Sequence, residues 1–185
     1  MGIFFGIGIL ALIAILVIVV VGIYNRLVNL KNRTDNAWAQ VDVQLKKRAD
    51  LVPNLVEIVK GYAAHEKGVF EAVTKARSAI MGATGVADMQ QAQNGLTSAL
   101  KSLFAVAENY PQLKADAQFK LLQEQLEGIE SNIASARQFY NDSVMEFTNA
   151  IQMFPSSIIA GMFGFKGREY FQVAEADREV VKVKF

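Results

Sequence analysis

The sequence predicts an all-α protein. An N-terminal transmembrane helix continues into an elongated, antiparallel, up-and-down four-helix bundle, followed by a short extended C-terminal tail. Two observations support this: an uncharged run at the start of the chain, and long stretches in which apolar residues recur every three or four positions. We expect an anchor over residues 1–24 and a bundle over 25–153. Residues 154–185 would be an apolar segment and tail that pack on the bundle or on a neighbouring subunit.

The anchor is predicted from the run between Ile3 and Tyr24, which contains no charged side chain. At the rise of an α-helix this run is about 33 Å long, enough to cross a bilayer core of roughly 30 Å. A cleaved signal peptide is one alternative, but it normally starts with basic residues, and the first cation here is Arg26. A buried core helix is the other alternative, and it would usually show polar periodicity. We therefore expect a membrane span.

The orientation of the span is predicted from the cations that follow it. Six Lys or Arg residues lie between positions 25 and 48, whereas the other flank carries only the α-amino group. Because cytoplasmic flanks are enriched in Lys and Arg, we expect the N-terminus outside and the bulk of the chain in the cytoplasm. The cations nearest the span, Arg26, Lys31 and Arg33, are predicted to contact lipid headgroups.

The first two helical blocks are bounded by a proline and a pair of glycines. The polar part of the first helix has no glycine or proline between Tyr24 and Pro53. Pro53 removes a backbone donor and is predicted to start a new helix or to kink the old one near Asp50. The second block then keeps its apolar spacing as far as the break at residues 82–85.

Two further blocks and an apolar segment complete the chain. Apolar residues alternate at steps of three and four over 89–106, a turn is predicted at 109–111, and a long stripe follows over 119–151, which favours shallow crossings. Residues 154–165, FPSSIIAGMFGF, are too short to span a bilayer. They read either as a lid over the bundle or as a surface for a neighbouring subunit or the bilayer. Alternation over 181–185 predicts a short strand.

Three stretches resemble the LemA family of bacterial membrane proteins. They are YNRLVNLKNRTDNAWAQVDVQLKKRADLVPNLVEIVKGYAAHE over 24–66, YPQLKADAQFKLLQEQLEGIESNIASARQFYND over 110–142 and FPSSIIAGMFGFKGREYFQ over 154–172. The resemblance implies a single-pass protein of the bacterial cytoplasmic (inner) membrane, N-out and C-in, with an up-and-down helical bundle. It implies no defined chemistry.

Residues that could support catalysis or metal binding are scarce. The chain has no cysteine and a single histidine, and the pair His65 and Glu66 lacks the second histidine of an HExxH zinc site because position 69 is Val. Glu124, Glu127 and Glu130 are interpreted as a solvated helix face. A net charge of +1 argues against a nucleic-acid partner. We expect no enzymatic activity, cofactor, metal or small-molecule substrate.

Self-association is predicted from polar and apolar residues near the span. Asn25, Asn29, Asn32 and Asn36 form an amide stripe, which is either simply solvated or pairs with another helix. Gly2 and Gly6 form a weak GxxxG signal. The apolar candidates are Phe154, Ile158, Ile159, Met162, Phe163 and Phe165. We expect a membrane scaffold that forms lateral homo-oligomers. The alternative is an adaptor that binds a membrane protein partner, such as a protease.

Overall fold

The computed structural model describes residues 2–172, and over that range the chain is helical without strands. The all-α class is therefore confirmed, while the predicted strand at 181–185 lies outside the described residues. The described part forms two compact units. Unit 1 comprises residues 2–38 and 139–168, and unit 2 comprises residues 39–138 and 169–172. The helices are α1 (Gly2–Tyr62), α2 (Lys67–Gly82), α3 (Gly85–Glu108), α4 (Pro111–Ala115), α5 (Ala117–Gln152) and α6 (Ser156–Phe163).

Helix α1 contains the predicted anchor and continues from it without interruption. Its most apolar window of 18 residues has a mean hydropathy of 3.3, and none of that window is buried within the chain. By length and composition the helix can cross a membrane. The predicted continuity between the apolar run and the first polar helix is confirmed, because α1 is a single helix of 61 residues.

Of the two alternatives predicted at Pro53, the start of a new helix is wrong, because Pro53 lies inside α1, whereas the kink near Asp50 stays a prediction. A proline cannot donate to the carbonyl four residues back, which here belongs to Ala49. The structure supplies another donor, since Arg77 Nε donates to the Ala49 carbonyl oxygen at 3.0 Å. With that acceptor satisfied, the helix continues to Tyr62, and the boundary falls at residues 63–66 instead.

Helices α2 and α3 pack against each other in unit 2. The break between them falls at residues 83–84, as predicted, and Gly85 adopts a positive φ of 85° at the start of α3. The apolar stripe of α3 is buried, with Met89, Leu96 and Leu103 almost fully covered. The three-four periodicity of this block therefore marks its core face.

The predicted turn at 109–111 is present and leads into α4, a short helix that the sequence did not predict. Asp116 directly precedes α5, and its Oδ1 accepts hydrogen bonds from the backbone N–H groups of Gln118 at 2.8 Å and Phe119 at 2.9 Å. This is the arrangement of a helix N-cap. Most of the α5 stripe is buried, including Phe119, Ile133 and Phe147.

Unit 2 buries one cation, Arg48 of α1. Its guanidinium donates to Thr97 Oγ1 at 3.1 Å and pairs with Glu130 at 3.0 Å. Burial lowers the pKa of Arg48, and the Glu130 carboxylate partly opposes that shift. The two contacts hold α1 to α3 and to α5, so this buried group helps to define how the helices of unit 2 meet.

Candidate functional site

The apolar segment predicted over 154–165 contains α6, which packs in unit 1. Ser156 Oγ donates to the carbonyl oxygens of Ala150 at 2.5 Å and Met153 at 2.9 Å, and so ties the start of α6 to the end of α5. At the other end Gly164 adopts a left-handed conformation with φ of 70°, and Phe165 N–H donates to the Ala160 carbonyl at 2.9 Å. The Gly164 cap turns the chain back toward its own core.

One side of α6 is buried within unit 1. Ile159 and Ala160 contact a cluster made by Leu27, Leu30, Phe147 and Ala150, with Val20, Ile23, Tyr24, Ile151 and Phe165 around it. Val20, Ile23 and Tyr24 belong to the apolar run of α1. Helix α6 therefore packs beside the last turns of that run, and Ile159 is committed to the chain's own core.

The other side of α6 carries large apolar side chains that the chain leaves exposed. Met162 is 73% exposed, and Ile158 and Phe163 are each more than half exposed, while Phe154, two residues before α6 begins, is 81% exposed. These four residues are the α6 outer face. One side of the segment therefore covers the core of unit 1, and the other side is apolar and exposed in the chain.

Aromatic contacts fix the level of α6 along α1. The ring of Tyr24 lies 4.7 Å from that of Phe163 and 5.8 Å from that of Phe165, between ring centroids. Phe165 also contacts Phe147, at 6.3 Å. Since Tyr24 ends the apolar run, the α6 outer face lies beside the end of that run. Tyrosine is enriched at this level in membrane proteins, where its ring meets hydrocarbon and its hydroxyl meets water.

A cavity of about 500 Å³ opens between α1 and the chain that follows α6. We call it the basic cavity, because its lining combines aromatic rings with cations. Arg168 is held in place by Asp35, which it meets at 2.6 Å. Its aromatic residues include Tyr24, Phe147 and Phe163, and its cations are Lys31, Lys166 and Arg168.

The three cations predicted to contact lipid headgroups lie in different surroundings. Lys31 lines the basic cavity, and Arg26 is exposed on α1. Arg33 forms an ion pair with Glu146 at 2.7 Å and lies over the ring of Phe139, 5.5 Å from its centroid. The structure therefore brings Lys31 together with two cations that sequence reasoning missed, Lys166 and Arg168. Their position directly after an apolar segment is the signal that could have found them.

The amide stripe is exposed on α1. Asn25, Asn29, Asn32 and Asn36 lie roughly opposite the buried positions of α1 at 100° per residue, and no described residue hydrogen-bonds their side chains. A Cβ at Gly6 would meet no described atom within 4 Å other than the adjoining residues and backbone of its own helix, and Gly6 lies more than a quarter turn from the stripe. Gly2 is the first residue of α1. The stripe thus presents four amides that the chain itself does not use.

The described residues contain no cluster of three or more His, Asp or Glu side chains placed to hold a metal ion. His65 lies exposed in the turn between α1 and α2, where no described side chain pairs with it.

An apolar helix able to cross a membrane, joined to helices with a conventional core, defines a membrane-associated helical protein. A model of the LemA family matches residues 37–185, and the chain belongs to that family. Similar proteins include magnetosome proteins MamQ 1 and MamQ 2 of Paramagnetospirillum magneticum, each 27% identical over 80% of this chain. Magnetosome protein MamQ of Magnetospirillum gryphiswaldense is 26% identical over the same share. The match spans 64% of the length of each relative.

Proposed function

We propose that this protein is a non-enzymatic membrane scaffold that forms lateral homo-oligomers in the bacterial cytoplasmic membrane. Helix α1 crosses the bilayer with its N-terminus outside, and the rest of the chain lies in the cytoplasm. The observation that supports this function best is the unpartnered face of α1 that carries the amide stripe. The relatives are named for a structure, the magnetosome, and not for a reaction.

The amides belong to a longer heptad seam. Asn25 and Asn32 are seven residues apart, as are Asn29 and Asn36, which is the spacing of positions that meet between two parallel helices. The same alternation of three and four continues into the apolar run, where every member is exposed. We call the whole set the α1 seam: Phe4, Gly8, Ala11, Ile15, Ile18, Gly22, Asn25, Asn29, Asn32 and Asn36.

The membrane favours pairing of this seam with a second copy of the chain. All copies inserted with the same orientation place their α1 helices parallel and at the same depth, so each asparagine faces its counterpart. Asparagines at such positions can hydrogen-bond across the pair and fix its register and number of helices. In the apolar part, Gly8, Ala11 and Gly22 allow close approach of the two backbones.

The finer architecture belongs to the same proposal. In unit 2 the connections at residues 63–66 and 83–84 are short, and short connections favour antiparallel neighbours. An up-and-down bundle of α1, α2, α3 and α5 would present the α1 seam on one side of each subunit. The α6 outer face would then lie at the membrane surface of the assembly.

The α1 seam can be tested by disulfide trapping, because the chain contains no cysteine. We expect Asn29→Cys and Asn32→Cys to cross-link copies of the full-length protein in native membranes, since counterpart positions in a parallel pair lie within disulfide reach. The control is Arg26→Cys, which is exposed on the same part of α1 but lies off the seam. Equal cross-linking at all three positions would contradict an interface at the seam.

The oligomer itself can be measured by mass in nanodiscs. The wild-type chain should form a discrete high-mass species. The double variant Asn29→Lys with Asn32→Lys should dissociate, because it sets like charges against each other at every pair. Asn94→Lys with Asn132→Lys adds the same charge at exposed positions elsewhere. A stable wild-type monomer, before and after mild cross-linking, would overturn the scaffold and leave the adaptor, testable by deleting residues 174–185.

A further inference from the structure

We propose that the basic cavity binds the phosphate of an anionic phospholipid, with the lipid chains lying along the α6 outer face. This inference rests on the proposed membrane crossing of α1. Asn32 of the α1 seam also lines the cavity, so the test below changes Lys31 and Lys166 and leaves the seam intact. It assigns a ligand class to a cavity whose lining comes from α1, from α5, from the end of α6 and from the chain that follows it.

The charges that line the cavity favour the binding of an anion. Three cations line it, and Asp35 balances only one of them by pairing with Arg168. Within the described part of the chain no carboxylate lies within ion-pair distance of Lys31 or Lys166. Two ammonium groups at one opening therefore lack a counter-charge from the protein. A phosphate monoanion supplies one, whereas a zwitterionic lipid also brings a cation of its own.

The height of the cavity matches the headgroup layer. Its floor contains Tyr24, Phe147 and Phe163, beside the end of the apolar run. Lys31 lies seven residues beyond Tyr24 on the same helix, which is about 10 Å along the helix axis. Lysine side chains reach back toward the membrane surface while their ammonium groups stay hydrated. The ammonium of Lys31 is thus placed where lipid phosphates lie.

The apolar surroundings explain why the ligand is a lipid and not only a phosphate. Helix α6 has eight residues and is about 12 Å long, so it cannot cross a bilayer, but it can lie in the interface with its apolar side in the hydrocarbon. Phe163 belongs both to the floor of the cavity and to the α6 outer face. A lipid whose phosphate enters the cavity can therefore lay its chains on Met162 and Phe163 without leaving the membrane.

Native mass spectrometry of the full-length protein tests the site. Protein released from nanodiscs of mixed phosphatidylglycerol and phosphatidylcholine should retain phosphatidylglycerol. We expect Lys31→Gln with Lys166→Gln to retain it about 30-fold less strongly, equivalent to about 2 kcal/mol, from roughly one per cation near a membrane surface. The control, Lys101→Gln with Lys120→Gln, removes the same charge from exposed positions of unit 2 and should retain lipid like the wild type.

Each outcome separates this site from its alternatives. Equal loss in both double variants, or equal retention of the two lipids by the wild type, would overturn the inference. Binding of glycerol phosphate or inorganic phosphate as tight as that of short-chain phosphatidylglycerol would identify a site for a soluble anion and would also overturn it. The same spectra report subunit number. A monomer that retains phosphatidylglycerol would contradict only the scaffold, and an oligomer without lipid would contradict only the cavity.

Discussion

Units 1 and 2 differ in how far they bury charged and apolar side chains. Unit 2 buries Phe70 and Phe119 and also buries a cation, Arg48, whose side chain is 9% exposed and is held by Glu130 and Thr97. Unit 1 leaves the aromatic and aliphatic residues of the α6 outer face exposed. Its ion pairs, Arg33 with Glu146 and Arg168 with Asp35, lie half exposed at the surface.

The difference lies in which polar and apolar groups each unit covers within the chain. Unit 2 satisfies its polar and apolar groups mainly within itself, so its residues act on folding. Unit 1 leaves the α6 outer face and the amide stripe exposed, and we propose that lipid covers the first and another copy of the chain the second. Substitutions in the two units should therefore separate into those that change stability and those that change membrane binding or association.

The largest contrast is expected between two phenylalanines. Phe119 of unit 2 is 1% exposed, and Phe119→Ala should lower the free energy of unfolding by about 3–5 kcal/mol through the lost contacts and the cavity left behind. Phe154→Ala in unit 1 should change it by less than about 0.5 kcal/mol. Thermal unfolding of the full-length protein in detergent, followed by circular dichroism, measures both. Similar losses from the two variants would show that the α6 outer face is covered within the chain.

A smaller contrast is expected between two carboxylates. Glu130→Gln leaves the buried Arg48 without its counter-charge and should cost about 1–2 kcal/mol. That is less than the loss for a fully buried pair, because Glu130 itself is half exposed. Glu146→Gln breaks the exposed pair with Arg33 and should cost about 0–1 kcal/mol. The comparison uses the same unfolding measurement at low and high salt. Only the exposed pair should lose its contribution when salt is added.

The sequence predicted the local structure well where periodicity or helix-breaking residues act alone. The uncharged run, the break near residue 83 and the stripes of α3 and α5 all follow from residues close together in the chain. The continuation of α1 through Pro53 could not be predicted, because the group that satisfies the Ala49 carbonyl, Arg77, lies 28 residues away from Ala49. Periodicity shows which face of a helix is apolar. It does not show which distant side chain donates a hydrogen bond to a carbonyl that proline leaves without its usual donor.

The candidate site shows the same limit. Lys31 could be selected from the sequence because it follows the apolar run, and the amide stripe could be selected from its spacing. The basic cavity could not be predicted, because it joins Lys31 to Lys166 and Arg168 through the return of the chain at Gly164. The α6 segment was equally ambiguous, since eight residues are too few for a hydrophobic pattern to show which side is buried.

The smallest effect at neutral pH is expected at Asp116, the N-cap of α5 in unit 2. The hydrogen bond from the Phe119 N–H is the main cause that lowers the pKa of Asp116. The Tyr62 hydroxyl and the Gln118 N–H add to this effect, and desolvation opposes it. A carboxylate whose pKa is lower in the folded state stabilises the fold above its ordinary pKa, 3.8, and loses that contribution as the pH falls through the folded value.

Asp116→Asn separates the charge of this cap from its hydrogen bonds. The amide oxygen can still accept both N–H groups, so the unfolding midpoint at pH 7 should change little, whereas Asp116→Ala should lower it because the cap is lost. Between about pH 4 and pH 2 the wild type should lose stability more steeply than Asp116→Asn, since only the carboxylate binds a proton on unfolding there. Glu124→Gln controls for the loss of one negative charge from α5. Parallel curves for the wild type and Asp116→Asn would show that the cap acts through its hydrogen bonds alone. The acid sensitivity of unit 2 would then have to come from other carboxylates, with the pair between Glu130 and Arg48 the first to examine.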